Sequence, residues 1–495
     1  MKLLMLCLLL TCSFSYAEEY TLFSAVEKTI ETNPEVQAAY NNYRAAIQEQ
    51  MAAQGGFYPH LNLVSEGRKV QGQSASTNYN AFVPEYLTTL VLRQMVFDGF
   101  GTLSEVRRLD HESRSAFFEL EEVMEKTAMA TTKAYLDVQK YRKFVTFAQD
   151  NFAVHKQLFD LVERRVTAGV GRRVDLEQGG GRLALAEANL LTESNNLLAV
   201  TATFQRLTGE LPPAKLKEVV FFTKGIEATA TEALAVAYER NPAILAAIEN
   251  IIASQQAVKV KQAEYYPKLD LMARHALIAA APGANSFAAA DIVEVTMNYN
   301  LFNGLTDKSE ISHTTFKLNE AEEFKNVACV NTREELVIGY GDIVNLKGQL
   351  GYRDQHQLSI EKAREAYRKQ FSIGQRTLLD LLDAENEYFS ARRNFTQTEL
   401  DLYIAYARTY HTQGELLRKL NVFREDLPEL EGDEISEAYK AIACSDSIAP
   451  ELIKINKDEI MLKAKPLSTE ITENIFNTNT NTNTNTNTNT NTKER

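Results

Sequence analysis

Residues 364–392 read REAYRKQFSIGQRTLLDLLDAENEYFSAR, and this stretch decides how the chain folds. An apolar-periodic run ends near Phe371, Gly374 interrupts it, and a second periodic run follows at once. Glycine suits the left-handed position that closes a helix, and Thr377 is a good cap for the start of the next helix. The stretch therefore predicts two helices that meet in a tight turn, which we call a helix tip.

The same layout occurs earlier in the chain, in residues 164–178, which read RRVTAGVGRRVDLEQ. Gly169 precedes Asp175 by six residues, and Gly374 precedes Asp380 by the same six. A chain that builds one helix tip twice is predicted to consist of two similar halves.

Asparagine–proline pairs also repeat, at residues 33–34 and 241–242, and a stopping proline follows in each half, Pro59 and Pro267. Asparagine caps a helix, and proline is tolerated in the first turn because its missing N–H has no partner there. The pairs and the stopping prolines are both 208 residues apart, which supports the duplication.

After each stopping proline the sequence alternates between apolar and polar residues. The clearest segment is 292–302, IVEVTMNYNLF, in which five apolar side chains share one face and four polar side chains share the other. This period of two predicts a strand. Weaker segments of the same kind are residues 61–70, 87–97 and 269–279.

These four strands suggest contact with a membrane. Segments of about 10 residues fit tilted spans of a hydrocarbon layer, and the mature chain has no apolar run near the roughly 20 residues of a spanning helix. A four-stranded sheet in lipid must close with copies of itself, because its edges would otherwise leave backbone groups unpaired. Two or three copies both satisfy this argument. The alternative is a pair of edge hairpins on a soluble helical protein.

Two proline-free stretches, residues 102–165 and 306–371, predict very long helices, the first spanning roughly 95 Å at about 1.5 Å per residue. Residues 174–208 and 242–264 predict helices of about half that length. Long helices alternating with stacked half-length helices would form the wall of a tube. Fifteen positions of the first stretch follow the 3-4 spacing of a coiled-coil seam: 117, 120, 124, 127, 131, 134, 138, 141, 145, 148, 152, 155, 159, 162 and 166.

The first residues, MKLLMLCLLLTCSFSYA, have the lysine, apolar core and small-residue end of a secretory signal peptide. The residue before Cys12 is Thr11 and not the small residue that a lipoprotein signal prefers, so no lipid anchor is predicted. Cleavage leaves Cys329 and Cys444, which could pair after export, although their spacing indicates neither a metal nor a redox site.

The predicted organisation is a signal peptide, residues 1–17, a first repeat, residues 18–230, a second repeat, residues 231–424, and an acidic tail, residues 425–495. The tail ends in eight Asn-Thr pairs, residues 477–492, a low-complexity composition typical of disorder.

No enzyme, cofactor, metal or nucleic-acid site is predicted. The seven histidines lack HExxH spacing, GVGRRV lacks the third glycine of a dinucleotide loop, and no G-x-S-x-G motif occurs. The formal net charge is −13 and no basic block stands out, which argues against a nucleic-acid partner.

Several short sequence motifs, taken together, resemble those of the TolC-like outer membrane efflux and secretion protein family, over nearly all of residues 20–421. They are TNPEV and RNPAI, FYPHLNL and YYPKLDL, QMVFDGF and YNLFNGL, AGVGRRVDLEQ, and SIGQRTLLDLLDAE. Within the family, one branch is most similar to this chain, the agglutination-protein, LapE-like branch that serves type I secretion of large repeat-rich adhesins. The segments that carry this similarity are LRQMVFDGF, GRLALAEANL and YRKQFSIGQRTLLDLLDAENEYFSARR.

This resemblance implies a mainly α fold with a small membrane β-barrel. Three copies would form a twelve-stranded barrel in the outer membrane and a twelve-helix tube across the periplasm, with the tips at residues 166–175 and 371–380 as the entrance. It also implies that Asp380 and Asp383, which share one helix face, line the narrowest point. Six carboxylates there would attract cations and disfavour anions.

The resemblance further makes Arg376 and Asp175 a candidate latch between neighbouring tips, because an Arg–carboxylate pair can be bidentate. Phe371 stands where the best-known family pattern has a tyrosine, and Val174 stands where it has a threonine. Fewer polar contacts are therefore expected to hold the closed state.

The resemblance implies three partners besides the other copies: outer membrane lipid, a periplasmic adaptor (membrane fusion protein), and an inner-membrane ABC transporter or proton-driven pump. The expected function is the outer membrane channel of a tripartite export system, serving type I adhesin secretion. Two alternatives remain open, a small-molecule or drug efflux channel and a soluble periplasmic helical scaffold or adaptor.

Overall fold

The computed structural model describes residues 20–70, 83–219, 225–280, 287–428, 439, 442–444, 449–450 and 455–464. The chain divides into two compact units, Met1–Ala449 and Pro450–Arg495. In the second unit one helix is described, Lys457–Lys463, and the side chain of Asn456 caps it by accepting the N–H groups of Asp458 and Glu459.

The first unit repeats one order of elements, namely two short helices, two strands, one very long helix and one helix of intermediate length. The first half contains α1 (Leu22–Thr32), α2 (Pro34–Gln54), β1 (His60–Val70), β2 (Val83–Phe97), α3 (Gly101–Thr167) and α4 (Arg173–Thr208). The second half contains α5 (Ala230–Arg240), α6 (Pro242–Gln262), β3 (Lys268–Ala280), β4 (Phe287–Asn298), α7 (Thr306–Ser372) and α8 (Leu378–Thr412), followed by the short α9 (Leu416–Leu420).

The asparagine–proline pairs join the shorter helices end to end, as the half-length prediction requires. The Asn33 side chain accepts the N–H of Glu35 at the start of α2 and donates to the carbonyl of Leu207 near the end of α4, at 3.1 Å. In the second half Asn241 caps α6 and donates to the carbonyl of Thr412 at the end of α8, at 2.8 Å. Each asparagine thus satisfies groups at two helix ends that would otherwise lack partners.

The four strands form one antiparallel sheet in the order β1-β2-β3-β4. Successive side chains of each strand point to opposite faces of the sheet, and the two faces differ in composition. One face carries three cross-strand ion pairs of 2.6–2.7 Å, and the other carries mostly apolar side chains. The ion pairs are Arg68–Glu85, Arg93–Asp270 and Arg274–Glu294. The exposed apolar residues include Leu61, Leu63, Leu92, Val293, Val295 and Met297.

The last strand ends earlier in the sequence than the alternation predicts. β4 ends at Asn298, so the prediction that it continues to residue 302 is wrong. The side chain of Asn300 accepts the N–H of Phe302 at 3.2 Å, which bends the chain locally. Gly304 and Leu305 then adopt left-handed φ values of 70° and 69° at the start of α7.

No helix among the described residues has the combination of length and hydrophobicity that a membrane span requires.

The coiled-coil seam predicted in α3 is buried. Ten of its fifteen positions are buried, the other five are half-buried, and none is exposed. Its polar members find local partners, since the Thr131 hydroxyl donates to the carbonyl of Thr127 at 2.9 Å and the His155 ring contacts the carbonyl of Asn151 at 2.8 Å. The seam therefore tolerates polar residues whose hydrogen bonds are satisfied within the helix.

Cys329 of α7 and Cys444 form a disulfide. Both cysteines are buried in a cluster with Ile244 and Ile248 of α6 and with Tyr439. The first compact unit accordingly continues to Ala449, past the boundary predicted at residue 425. The Asn-Thr pairs at 477–492 lie outside the described residues.

Candidate functional site at the helix tips

Both helix tips have the turn geometry that the sequence predicts. α7 ends at Ser372, Gly374 has a φ of +79°, and Gly169 of the other tip has a φ of +77°. The Thr377 side chain accepts the N–H of Asp380 while the Asp380 carboxylate accepts the N–H of Thr377, each at 3.2 Å. This capping box fixes where α8 begins, and it orients Asp380 at the end of the molecule.

A small apolar cluster holds the two tips together. Val162, Leu378 and Leu382 are buried in it, and Phe371 packs against them from the end of α7. The Arg165 guanidinium lies 5.6 Å from the centre of the Phe371 ring, within the range of a cation–π contact. Phe371 thus contributes packing at the tip.

Arg376 and Asp175 each have a partner within their own tip. The Arg376 Nε donates to the Gln370 side chain at 3.0 Å, and its guanidinium lies 4.6 Å from the Tyr367 ring centre. The Asp175 carboxylate accepts two hydrogen bonds from Arg172, at 2.9 and 3.2 Å. Arg376 and Asp175 are not paired with each other within one chain. A latch between Arg376 of one chain and Asp175 of the next stays a prediction.

Asp380 and Asp383 lie together on the open side of α8. Leu381 and Leu382, between them in sequence, are buried, whereas the two carboxylate side chains are 38% and 53% exposed. Arg376 Nη1 lies 3.9 Å from Asp380, beyond hydrogen-bond distance. The structure therefore places both predicted residues on one accessible face at the tip.

Sequence reasoning missed the residue that binds Asp383. Arg182 of α4 donates from Nη2 to Asp383 Oδ1 at 2.5 Å. Gly179 and Gly180 precede it, and the ring of Phe159 on α3 lies 3.6 Å from where a Cβ of either glycine would stand. Gly179 and Gly180 thus lie against α3 one turn before Arg182, at a spacing that a Cβ would also fit.

A second ion pair links the same two helices further from the tip. Arg393 of α8 donates to Glu193 of α4 at 2.9 Å, and the Glu193 side chain is buried. The first pair has its cation on α4, and the second has its cation on α8. Sliding one helix along the other would separate both pairs, so the two pairs favour the observed register of α4 and α8.

Buried ionisable groups surround this region on the α3 and α7 sides. Glu385 is buried and pairs with Arg368, and Arg364 approaches it to 3.8 Å while stacking on Tyr388. Burial lowers the pKa of His155 on α3, which favours its neutral form. The described residues contain no group of three or more histidine, cysteine or acidic side chains that could hold a metal ion.

The two halves of the chain also match a known family. A model of the outer membrane efflux protein family matches residues 25–210 and residues 233–415, one match in each repeat and together well over half of the chain. The chain belongs to the outer membrane efflux protein family. The resemblance stated from the sequence phrases is therefore confirmed.

Individual relatives are distant but span most of this protein. The outer membrane efflux protein BepC of Brucella suis is 21% identical over 403 residues, which cover 80% of this chain and 86% of BepC. The alkaline protease secretion protein AprF of Pseudomonas aeruginosa is 21% identical over 412 residues, covering 80% of this chain and 84% of AprF.

The fold is shared with solved channel structures. The crystal structure of the Vibrio cholerae outer membrane protein VceC superposes with a TM-score of 0.69 at 18% identity, covering 79% of this chain and 96% of VceC. The predicted fold class, long helices with a small sheet built from two structural repeats, is confirmed.

Proposed function

We propose that three copies of this chain form the outer membrane channel of a tripartite export system. The observation that carries the proposal is the sheet, which has one largely apolar face and ends in two edges, β1 and β4, that no strand described in the chain pairs. Backbone groups at such edges need partners in lipid, so the sheet closes with copies of itself into a twelve-stranded barrel.

The helices of the first unit would continue that barrel as a twelve-helix tube. This places the barrel in the outer membrane of a Gram-negative bacterium and the tube in the periplasm, with the helix tips as its inner entrance. Asp380 and Asp383 of each copy then supply six carboxylates at the narrowest point, which favours cations. The chain needs no catalysis of its own in this role, because energy comes from an inner-membrane partner.

We propose a type I system as the setting, with a periplasmic adaptor, an ABC transporter and a large repeat-rich adhesin as cargo. The sequences of the tip and of the GRLALAEANL segment support this cargo, and so does the similarity to AprF, an alkaline protease secretion protein. The similarity to BepC, an outer membrane efflux protein, supports the competing assignment, which is small-molecule export with a proton-driven pump.

A proteomic comparison of cell surface and medium, between wild type and a strain lacking this gene, separates the two cargoes. Loss of one very large repeat-rich protein from the mutant surface is expected for adhesin secretion. An unchanged surface together with increased drug or detergent sensitivity would support efflux instead. Extraction of the protein without detergent, with no heat-modifiable oligomer, would reject both channel assignments in favour of a soluble scaffold.

A further inference from the structure

The contact between Arg182 and Asp383 joins the two repeats of the chain at the tip. Arg182 is on α4, within the first repeat, and Asp383 is on α8, within the second. Their side chains are 32% and 53% exposed, so the pair lies at the surface of the tip and is not part of the core. Arg182 and Asp383 carry opposite charges, so their hydrogen bond is charge-assisted.

The local packing determines which way Arg182 points. Ala186, one turn further along α4, is buried, and Gly179, one turn before, faces the Phe159 ring of α3. The ion pair between Glu193 and Arg393 holds α4 and α8 in register beyond it. The guanidinium is thus positioned by the helix pairing, and it stays beside Asp383 as long as α4 and α8 remain together.

The other arginines of the tip make their hydrogen bonds or ring contacts with different residues, although Arg376 Nη1 also lies 3.9 Å from Asp380. Arg172 binds Asp175, Arg376 donates to Gln370, and Arg165 lies over the ring of Phe371. Among these tip arginines, Arg182 alone donates a hydrogen bond to one of the two candidate pore carboxylates. Each chain therefore brings two carboxylates to the entrance, and of the guanidinium groups near them only that of Arg182 is hydrogen-bonded to one, while that of Arg376 lies 3.9 Å from the other.

We propose that Arg182 is a specificity-determining residue of the channel entrance, which holds Asp383 against α4 and offsets its charge. This inference rests on the proposed function, since it assumes that the tips of three copies surround the pore. Three arginines then accompany six carboxylates, so the entrance field is weaker than the carboxylates alone would produce. Loss of Arg182 strengthens the attraction for cations, because the field of a narrow site scales with its net charge.

Ion selectivity of the full-length trimer in planar lipid bilayers tests this inference. The measured quantity is the permeability ratio of potassium to chloride, taken from the reversal potential in a KCl gradient. Arg182→Gln is expected to raise the ratio on the order of threefold, and Asp383→Asn to lower it. The double variant Arg182→Gln/Asp383→Asn should return close to the wild-type ratio, because it removes one charge of each sign.

Two further variants serve as controls. Arg173→Gln removes an equal charge from α4 at a side chain that is 89% exposed and lies 4.0 Å from Glu177, and it should change the ratio little. Arg182→Lys keeps the charge and should behave like wild type. An exposed ion pair contributes at most about 1 kcal/mol to stability, so Arg182→Gln is expected to assemble normally. If it does not assemble, the lysine and double variants still decide the question.

The outcomes separate this inference from the function on which it rests. If Asp380→Asn and Asp383→Asn both leave the ratio unchanged, the tip is not the selective entrance and both proposals are overturned. If the aspartate variants lower the ratio but Arg182→Gln does not raise it, only the role of Arg182 is overturned. A double variant that resembles Asp383→Asn alone would also contradict it.

Discussion

Helices α3 and α7 are the same element in the two repeats, yet one is buried and the other is largely exposed. Each has 67 residues and follows a left-handed turn. α3 buries 24 residues, whereas α7 buries six. One chain therefore surrounds α3 on most sides and leaves α7 without part of its packing partners.

The exposed part of α7 is an apolar stripe. At 3.6 residues per turn, six of the eight large apolar residues exposed on α7 fall within about 120° of one another around the helix. They are Phe316, Phe324, Val327, Val330, Ile338 and Tyr352. An apolar stripe of this length is typical of an interface, so a neighbouring copy of the chain is expected to cover it. α3 and α7 therefore have the same length, although α3 is covered within its own chain and α7 is expected to be covered by a neighbouring chain.

The largest expected difference in the free energy of unfolding is between replacing Phe144 of α3 and replacing Phe324 of α7. Phe144 is buried, with ring contacts to Tyr141 and Phe147, whereas Phe324 is 63% exposed. Phe144→Ala should lower the free energy of unfolding by about 3–5 kcal/mol, because it leaves a cavity. Phe324→Ala should have little effect on the single chain and should instead lower the temperature at which the SDS-resistant trimer dissociates.

Thermal unfolding in detergent and heat-dependent gel migration measure the two effects. Glu322→Ala, at an exposed position on another side of α7, is the control for assembly. The comparison breaks down if Phe324→Ala destabilises the single chain as much as Phe144→Ala does.

The next prediction concerns the disulfide, which covers one of the few buried places on α7. Cys329 and Cys444 are 115 residues apart in sequence, and the bond ties the segment around Tyr439 onto α6 and α7. Loss of the bond should cost about 2–4 kcal/mol, since it frees a long loop in the unfolded chain. The measurement is the unfolding temperature of Cys329→Ser/Cys444→Ser compared with wild type, each with and without reductant.

Reductant should lower the unfolding temperature of wild type to that of the double variant and leave the variant unchanged. An unchanged wild-type temperature on full reduction would mean that the surrounding cluster alone holds this segment.

A third prediction uses Glu125, a buried carboxyl of α3, whereas none of the buried residues of α7 is acidic. Burial raises the pKa of Glu125 to about 8, and burial lowers the pKa of His411 to about 4. Glu125 Oε2 lies 3.9 Å from His411 Nδ1, and neither atom has a hydrogen-bond partner. The other charged groups that act on these two residues are Glu121 and Lys126 of α3 and Glu415, which precedes α9.

The sign of the pH dependence follows from linkage. A raised carboxyl pKa gives stability that is complete below the unfolded value of 4.5 and is lost as the pH rises through about 8. A lowered histidine pKa gives stability that is lost as the pH falls from 6.5 through about 4. Glu125 therefore weakens the chain on the alkaline side and His411 on the acidic side.

Glu125→Gln should remove the alkaline loss, so that the variant unfolds at a higher temperature than wild type at pH 9, with a smaller difference at pH 5. The glutamine amide can also donate to the neutral His411 ring. Unfolding temperatures between pH 5 and pH 9 measure this, with Glu334→Gln, an exposed glutamate of α7, as the control. Parallel profiles for Glu125→Gln and wild type would contradict the assignment.

The elements that the sequence predicts well are those set by local rules. The seam of α3, the cap at Thr377 and the left-handed Gly374 all depend on residues within a few positions of one another. β4 shows the limit of such rules, because its alternation continues past Asn298 while the Asn300 side chain turns the chain away. A competing local hydrogen bond outweighs the apolar pattern there.

The contacts that sequence reasoning misses are tertiary ones. Asp383 is identified through the resemblance, but its partner Arg182 lies 201 residues earlier, and only the pairing of α4 with α8 brings the two together. The pairing of Cys329 with Cys444 is likewise undecided by their spacing. The burial of Glu125 beside His411 has no sequence signal, because a glutamate in a long helix is ordinarily solvated.

The smallest expected effect concerns a hydrogen-bonding arrangement that α3 and α7 share. The Tyr135 hydroxyl of α3 reaches the carbonyls of Tyr20 and Lys217, at 2.9 and 2.8 Å. The Tyr340 hydroxyl of α7 reaches the carbonyls of Glu227 and Ala228, at 3.2 and 2.8 Å. Tyr135 fastens α3 to the segments that precede α1 and follow α4, and Tyr340 fastens α7 to the segment that precedes α5. Each replacement by phenylalanine should cost about 1 kcal/mol.

Equal losses for Tyr135→Phe and Tyr340→Phe in chemical unfolding would mean that these bonds are independent of how deeply the helix is buried. Tyr58→Phe, at a residue that is 67% exposed, should have almost no effect. A much larger loss at Tyr135 would instead place the difference between the repeats in the hydrogen bonds too, because a carbonyl left without a partner costs more in the tightly packed half. The difference between α3 and α7 would then include contacts within the chain, in addition to the contacts that α7 is expected to make with a neighbouring copy.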